Sequence, residues 1–315
     1  MTPSRRTVLL SLPVALAASA CAGGGRRGGR EADAEWRFAA ALDAAEDATD
    51  ALVLRMDAFE RQAAADEEAI DFATGRGRLG AQPRFTPAPA GAADAAGRVI
   101  DAAFAALGDY GEVLAQAASG RRVTDAEGPN GEGFARVAEA GLEELRRTGG
   151  GAVPEAQRQA GLRGIAALAD LPGTLARGGQ RPTEAAMLAE ARPHVAAIAA
   201  LLRAAIGTGP GQGARGAINA RQNALDASHA RLLAAVRADN RVGPTERYNV
   251  FRSVAEARDD DPDEDAFEAL VALVDAMEQA HAALGTEGAE ADAKVAAFEA
   301  AVLRLRAYNE ASRRG

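Results

Sequence analysis

Apolar side chains recur along this chain at steps of three and four residues, the spacing that predicts amphipathic α-helices. The longest such stripe runs from Asp33 to Ala73 without a glycine or proline. Its inward positions are Leu42, Thr49, Leu52, Val53, Met56, Phe59 and Ile70. At 1.5 Å per residue, this segment predicts one helix of roughly 40 residues and about 60 Å.

Clusters of glycine and proline divide the remaining pattern into further helices. A second helix is indicated by the stripe from Ile100 to Ala117, which ends at Gly120. Shorter helices are predicted over 134–148, 154–177 with a bend or break at Pro172, 182–206, 214–238, 244–258, 262–284 and 290–312. No run of alternating β-branched residues predicts a strand.

These segments predict an all-α fold, an elongated antiparallel multi-helix bundle that covers residues 33–313. The glycine-rich stretches at 120–133 and 207–213 leave two arrangements open: one domain, or two halves divided at one of these stretches. Abundant alanine, leucine, glutamate and arginine favour helices, because these side chains lose little rotamer freedom there. Small alanine side chains also let helices approach closely.

The net charge of the 315-residue chain is −9, with 36 basic and 45 acidic residues. Five arginines precede Glu31, so the remainder of the chain carries −14. A body this acidic repels phosphate backbones and anionic headgroups. We therefore expect no binding to nucleic acid.

The first twenty residues read MTPSRRTVLLSLPVALAASA: a short basic segment, an apolar run and then small residues. This order is that of a secretory signal. The apolar run of about 13 residues is shorter than the roughly 20 that a membrane-spanning helix needs. Residues 1–20 are therefore predicted to be a signal peptide, and Ala18, Ser19 and Ala20 also fit an ordinary signal-peptidase site.

Cys21, the only cysteine, follows this leader directly. The tetrapeptide ASAC that it completes resembles the lipobox of bacterial lipoproteins, although leucine is preferred at the position of Ala18. The resemblance covers residues 1–22 only, and no family is recognised for the remainder of the chain. It implies that Cys21 is lipidated, with diacylglycerol on the thiol and an acyl chain such as palmitate on the new amino group. Several acyl chains anchor a protein far more firmly than one.

Residues 21–32 join Cys21 to a stretch rich in glycine and arginine, which predicts a flexible tether. Ala22 replaces the aspartate that would retain a lipoprotein of enteric bacteria in the inner membrane. We expect a lipid-anchored protein of the bacterial cell envelope that faces the periplasm from the outer membrane. The export route stays open, because SRRTVLL resembles the twin-arginine motif and also suits general secretion.

Three histidines fall on apolar stripes of predicted helices and are expected to face the bundle interior: His194, His229 and His281. Asp226 and Glu278 each stand three residues before a histidine, so each pair projects from one helix face. These pairs resemble the E-x-x-H motifs of ferritin-like di-metal bundles, although one is D-x-x-H. The five residues are thus candidate ligands of a metal ion or haem. The alternative is that each histidine is an ordinary core residue with a local hydrogen bond.

Catalytic signatures are absent from the sequence, which has no H-E-x-x-H, G-x-S-x-G, phosphate-loop or C-x-x-C-H pattern. We therefore expect a protein that is not an enzyme and that acts by contact, as a scaffold or partner-binding module of the cell envelope. Its expected partners are the membrane, through the lipid anchor, and an envelope protein. The alternative function is a metal- or haem-binding helical bundle that uses the inward-facing histidines.

Overall fold

The computed structural model describes residues 28–75, 91–119, 131–177, 183–258, 264–286 and 289–311. These residues form nine helices and no strand, which confirms the predicted all-α bundle. In chain order the helices are α1 Gly28–Ala73, α2 Ala92–Ala118, α3 Gly131–Arg147, α4 Glu155–Arg177, α5 Glu184–Ile206, α6 Gly213–Ala238, α7 Pro244–Arg258, α8 Glu264–Ala283 and α9 Ala289–Ala311. The predicted signal peptide and Cys21 lie outside the described residues.

Two features of the helices differ from what the hydrophobic pattern predicts: the start of α1 and the course of α4 at Pro172. α1 begins at Gly28, so the last part of the segment assigned to the tether is helical. α4 continues as one helix through Pro172 instead of breaking there. Leu168 and Leu171 of this helix are buried in the core. Their burial offsets the loss of the backbone hydrogen bond that proline cannot donate.

α2 lies at the centre of the bundle and packs against α1, α3, α4, α5 and α6. Seventeen of its residues are buried, and ten of these are alanine or glycine. A Cβ atom built on Gly97 of α2 would lie 2.6 Å from Cγ1 of Val53, and one on Gly141 of α3 would lie 2.6 Å from the carbonyl oxygen of Ala95. Small residues therefore set the spacing of the central helices.

Helices α5 to α8 form two long antiparallel arms. As the residue number rises along one arm it falls along the other, which shows that the arms are antiparallel. The contacts are Arg192 with the carbonyl of Leu284, Arg203 with Asp275, Arg215 with Glu264, and Asp226 with Arg258. α5 and α6 form the outgoing arm, and α7 and α8 form the returning arm. The turn between α6 and α7 is the far end of both.

α1 runs in the same direction as the outgoing arm. Near its start Phe38 packs against His281 of α8, and near its end Glu67 forms a 3.0 Å ion pair with Arg221 of α6. α1 ends at Ala73, six residues after Glu67, whereas α6 continues for 17 residues after Arg221. At 1.5 Å per residue, the α6–α7 turn therefore extends about 16 Å beyond the end of α1.

One helix in the described part of the chain, α5, is long and apolar enough to cross a membrane by length and composition, with a mean hydropathy of 1.3. Ten of its residues are buried against neighbouring helices of the bundle. A core helix of a bundle can be equally long, and it is equally apolar because other helices enclose it. The packing of α5 against α4, α8 and α2 places it in this class.

The close approach of α2 and α3 generates a stability prediction. Gly141→Ala should destabilise the fold by about 1–3 kcal/mol, because the new Cβ meets a backbone oxygen that cannot swing away. The matched control is Gly108→Ala on α2, where the nearest atom to the new Cβ is Oδ1 of Asp43 at 3.8 Å. The control should stabilise by up to about 1 kcal/mol through helix propensity. Denaturant unfolding measures both, and equal effects would contradict the packing.

Candidate functional site

His281 of α8 lies in the core against Phe38 of α1 and Tyr110 of α2. It is 1% exposed, and its Nε2 atom shares a 2.9 Å hydrogen bond with the hydroxyl of Tyr110. The ring of Phe38 lies 5.8 Å away between centroids. Burial, reinforced by the charge of Arg192, lowers the pKa of His281 to about 4, and burial raises the pKa of Tyr110. The pair is therefore uncharged near neutral pH, and the Tyr110 hydroxyl and Nε2 of His281 give each other a buried hydrogen-bond partner.

The other two histidines lie on different helices. His229 is buried on α6, and its Nδ1 atom has no hydrogen-bond partner among the described residues. His194 is half-buried on α5, where its backbone oxygen would lie 2.9 Å from a Cβ built on Gly164 of α4. His229 and His281 are thus inside the bundle, as their stripes predict, and His194 lies at the edge of the core.

Both carboxylates that precede a histidine are engaged by arginines. Asp226 forms a 2.8 Å ion pair with Arg258, and Glu278 forms an ion pair with Arg203. In the described part of the chain, no group of three or more histidine, aspartate or glutamate side chains is placed to hold a metal ion. Metal or haem binding stays a prediction, and these contacts give it no support.

A groove of about 430 Å³ opens between α1 and α2. Four carboxylates line it, together with an indole that is 45% exposed: Asp43, Glu46, Asp109, Glu112 and Trp36. None of the described residues that line it is basic. We call this surface the acidic groove.

Crowding and burial raise the pKa of several carboxyl groups in and beside the acidic groove. Burial, followed by the charge of Asp50, raises the pKa of Glu46, and burial with the charge of Glu112 raises that of Asp109. Asp101, two helical turns before Asp109, is affected most: burial, the charge of Asp50 and a hydrogen bond with Asp50 raise its pKa to about 7. This face holds negative charge that its neighbours do not balance, which favours a cationic partner.

The far end of the two arms, residues 230–258, carries an uncovered apolar surface; we call this segment the hairpin. α7 makes its main contacts with α6, and Val254 is the one buried residue in this helix. A second stripe on α7, at steps of four, three and four residues, faces solvent: Pro244, Tyr248, Phe251 and Ala255. Tyr248 is 63% exposed and Phe251 is 60% exposed. We call these four residues the aromatic stripe; two large side chains left uncovered on one helix face are typical of an interaction surface.

The hairpin is basic, in contrast to the chain as a whole. It contains six arginines and three carboxylates, and one of the six, Arg258, pairs with Asp226 outside the segment. Arg252 is tied to Glu256 by a 2.6 Å ion pair. Arg237 and Arg241 are exposed, and neither forms an ion pair with any residue that the structure describes. The aromatic stripe is therefore accompanied by surplus positive charge.

The glycine-rich connector at 207–213 lines a second cavity, of about 510 Å³. The charged side chain in its lining is Arg203, which is held by Asp275 and Glu278. This cavity therefore lacks the unbalanced charge of the acidic groove.

Sequence reasoning missed both the acidic groove and the aromatic stripe. The signal for the groove was available: Asp43, Glu46 and Asp50 recur at three- and four-residue steps with no basic residue between them on that face. The signal for the stripe was ambiguous, because α7 carries two apolar faces and the sequence does not state which one the bundle covers.

No protein family, no curated protein and no solved structure matches this chain.

Burial of His281 predicts a pH-dependent stability. Between pH 6.5 and about 4 the unfolded chain binds a proton on this histidine and the folded chain does not, so stability falls as the pH falls. From pH 7 to pH 5 the loss from this group should be about 2 kcal/mol. His281→Gln, which keeps a hydrogen-bonding group near Tyr110 but does not titrate, should lack this component. Urea unfolding at both pH values tests it, and identical pH dependence of the two proteins would contradict it.

Proposed function

We propose that this chain is a lipid-anchored module of the bacterial cell envelope that acts by binding a partner protein through the aromatic stripe of the hairpin. The proposal joins two parts. The lipobox-like leader supports the anchor and a position facing the periplasm from the outer membrane, and the hairpin supports the contact. No catalytic step is part of the proposal.

The observation that carries the proposal is the exposure of Tyr248 and Phe251 on one face of α7, a helix that buries only Val254 against the rest of the described chain. Two aromatic side chains left exposed on one helix face offer a surface on which a partner can pack. Tyrosine and phenylalanine are enriched where proteins bind proteins, because they bury a large area at low cost in rotamer entropy. In this proposal, the partner protein covers Tyr248 and Phe251.

The position of the hairpin supports the same function. Arg221, where α6 meets α1, pairs with Glu67, which lies 39 residues after the first described residue of α1. At 1.5 Å per residue this is about 60 Å along the helix. The aromatic stripe thus lies at the opposite end of the bundle from the segment that joins the predicted tether, where a partner can reach it.

The anchor is tested by Cys21→Ser. The thioether cannot form on serine, so the variant should leave the membrane fraction and appear in the soluble periplasmic fraction. Mass spectrometry of the mature wild-type protein should show an acylated cysteine at its amino terminus. An unmodified amino terminus at Ala22 would contradict the lipid anchor.

The contact is tested by a photo-crosslinking amino acid placed at Phe251 in living cells. Illumination should give a discrete adduct, because the side chain at this position is expected to lie inside an interface. The matched control places the same amino acid at Leu303 of α9, which is 63% exposed and lies outside the hairpin. Equal labelling at both positions, or no adduct at Phe251, would contradict the proposed function.

A further inference from the structure

We propose that the partner of the hairpin is the acidic groove of a second copy of this chain, so that copies associate head to tail. This inference rests on the proposed function and names its partner. In this arrangement the aromatic stripe of one copy packs against the acidic groove of another. The arginines of the hairpin then supply the positive charge that the groove favours.

The hairpin and the acidic groove are complementary in charge. The hairpin carries six arginines and three carboxylates, and one of the six, Arg258, pairs with Asp226 outside it, so two arginines remain in excess, whereas the chain from Glu31 onward carries −14. Arg237 and Arg241 provide exposed positive charge without an ion pair among the described residues. The acidic groove provides four carboxylates and no basic residue in its described lining. Surfaces of opposite potential attract each other, and pairing two hairpins would bring like charges together.

The acidic groove also has a size and a lining that suit the side chains of the hairpin. A cavity of about 430 Å³ lies within the range of about 300–1,000 Å³ that ligand sites occupy, and it can receive an aromatic or arginine side chain. Trp36 is 45% exposed at this groove. It offers a ring face to an arginine guanidinium or to Tyr248 and Phe251. The groove therefore has both the charge and the apolar surface that match the hairpin.

The hairpin and the acidic groove of one chain lie far apart. The acidic groove is built from residues 36–46 of α1 and the facing part of α2, whereas the hairpin meets the bundle near Glu67 and extends past the end of α1. A hairpin cannot reach the groove of its own chain across that distance. The contact must therefore join different copies, and a heterologous contact of this kind repeats into open rows unless its rotation closes a ring.

The experiment mixes two complementary variants of the full-length chain in mild detergent. The hairpin variant keeps the acidic groove and carries Arg237→Ser, Arg241→Ser, Tyr248→Ser and Phe251→Ser. The groove variant keeps the hairpin and carries Asp43→Asn, Glu46→Gln, Asp109→Asn and Glu112→Gln. All eight positions lie on exposed or half-buried surface, and circular dichroism checks that both variants keep their helices.

Sedimentation velocity should show wild-type protein forming species larger than a dimer as its concentration rises. Each variant alone should stay monomeric, and an equimolar mixture should form dimers and nothing larger, because one intact contact remains. At about 1 M salt, where the Debye length is only about 3 Å, wild-type association should weaken strongly. A monomeric wild type, or a mixture that stays monomeric, would overturn the inference.

Two further outcomes separate this inference from the proposed function. A Phe251 adduct that contains a different protein, with wild-type chain monomeric, overturns self-docking and leaves the proposed function intact. When both variants also carry Cys21→Ser, binding of the monomeric groove variant, but not of the hairpin variant, to phosphatidylglycerol vesicles assigns the hairpin to a lipid surface and also overturns self-docking. An adduct that contains two copies of this chain supports it.

Discussion

The enclosure of α2 is the constraint on which the rest of this structure depends. Five helices pack around it, so large side chains cannot occupy all of its faces. Alanine and glycine at ten of its seventeen buried positions let neighbouring backbones approach, and the few large side chains fill the space that remains. The same dense packing makes polar atoms costly there, and the hydroxyl of Tyr110 is satisfied by His281 of α8. One hydrogen bond thus joins the central helix to the returning arm.

Enclosure on most sides also concentrates charge on the face of α2 that stays open. Asp101, Asp109 and Glu112 emerge there and meet the carboxylates of α1 across a narrow groove. Partial burial and the charges of neighbouring carboxylates raise the pKa of Asp101 and Asp109. The described residues that line the groove include four carboxylates and no basic side chain, so its negative charge is not balanced locally. At the far end of the arms the opposite occurs: α7 contacts mainly α6, and its aromatic stripe and neighbouring arginines stay uncovered. Both surfaces therefore follow from how completely the other helices enclose α2 and α7.

Helical periodicity predicted the helical segments well because each segment carries its own apolar stripe. It also predicted that His229 and His281 are buried, since that property depends on the face of a single helix. It did not predict the partner of His281, because 171 residues separate it from Tyr110 and the pairing depends on how helices pack. For the same reason the arginines that hold Asp226 and Glu278 were not foreseen, and the two carboxylates were predicted to be ligands.

The central claim is that the hairpin is covered in the envelope and uncovered in the isolated chain. Hydrogen–deuterium exchange of residues 230–258, compared between native envelope membranes and the purified monomer, tests this most directly. The account predicts slower exchange of the α7 amides in the membranes, with unchanged exchange in α9, because a bound partner suppresses the opening of a weakly packed helix. Equal exchange of α7 in the two preparations would contradict the claim.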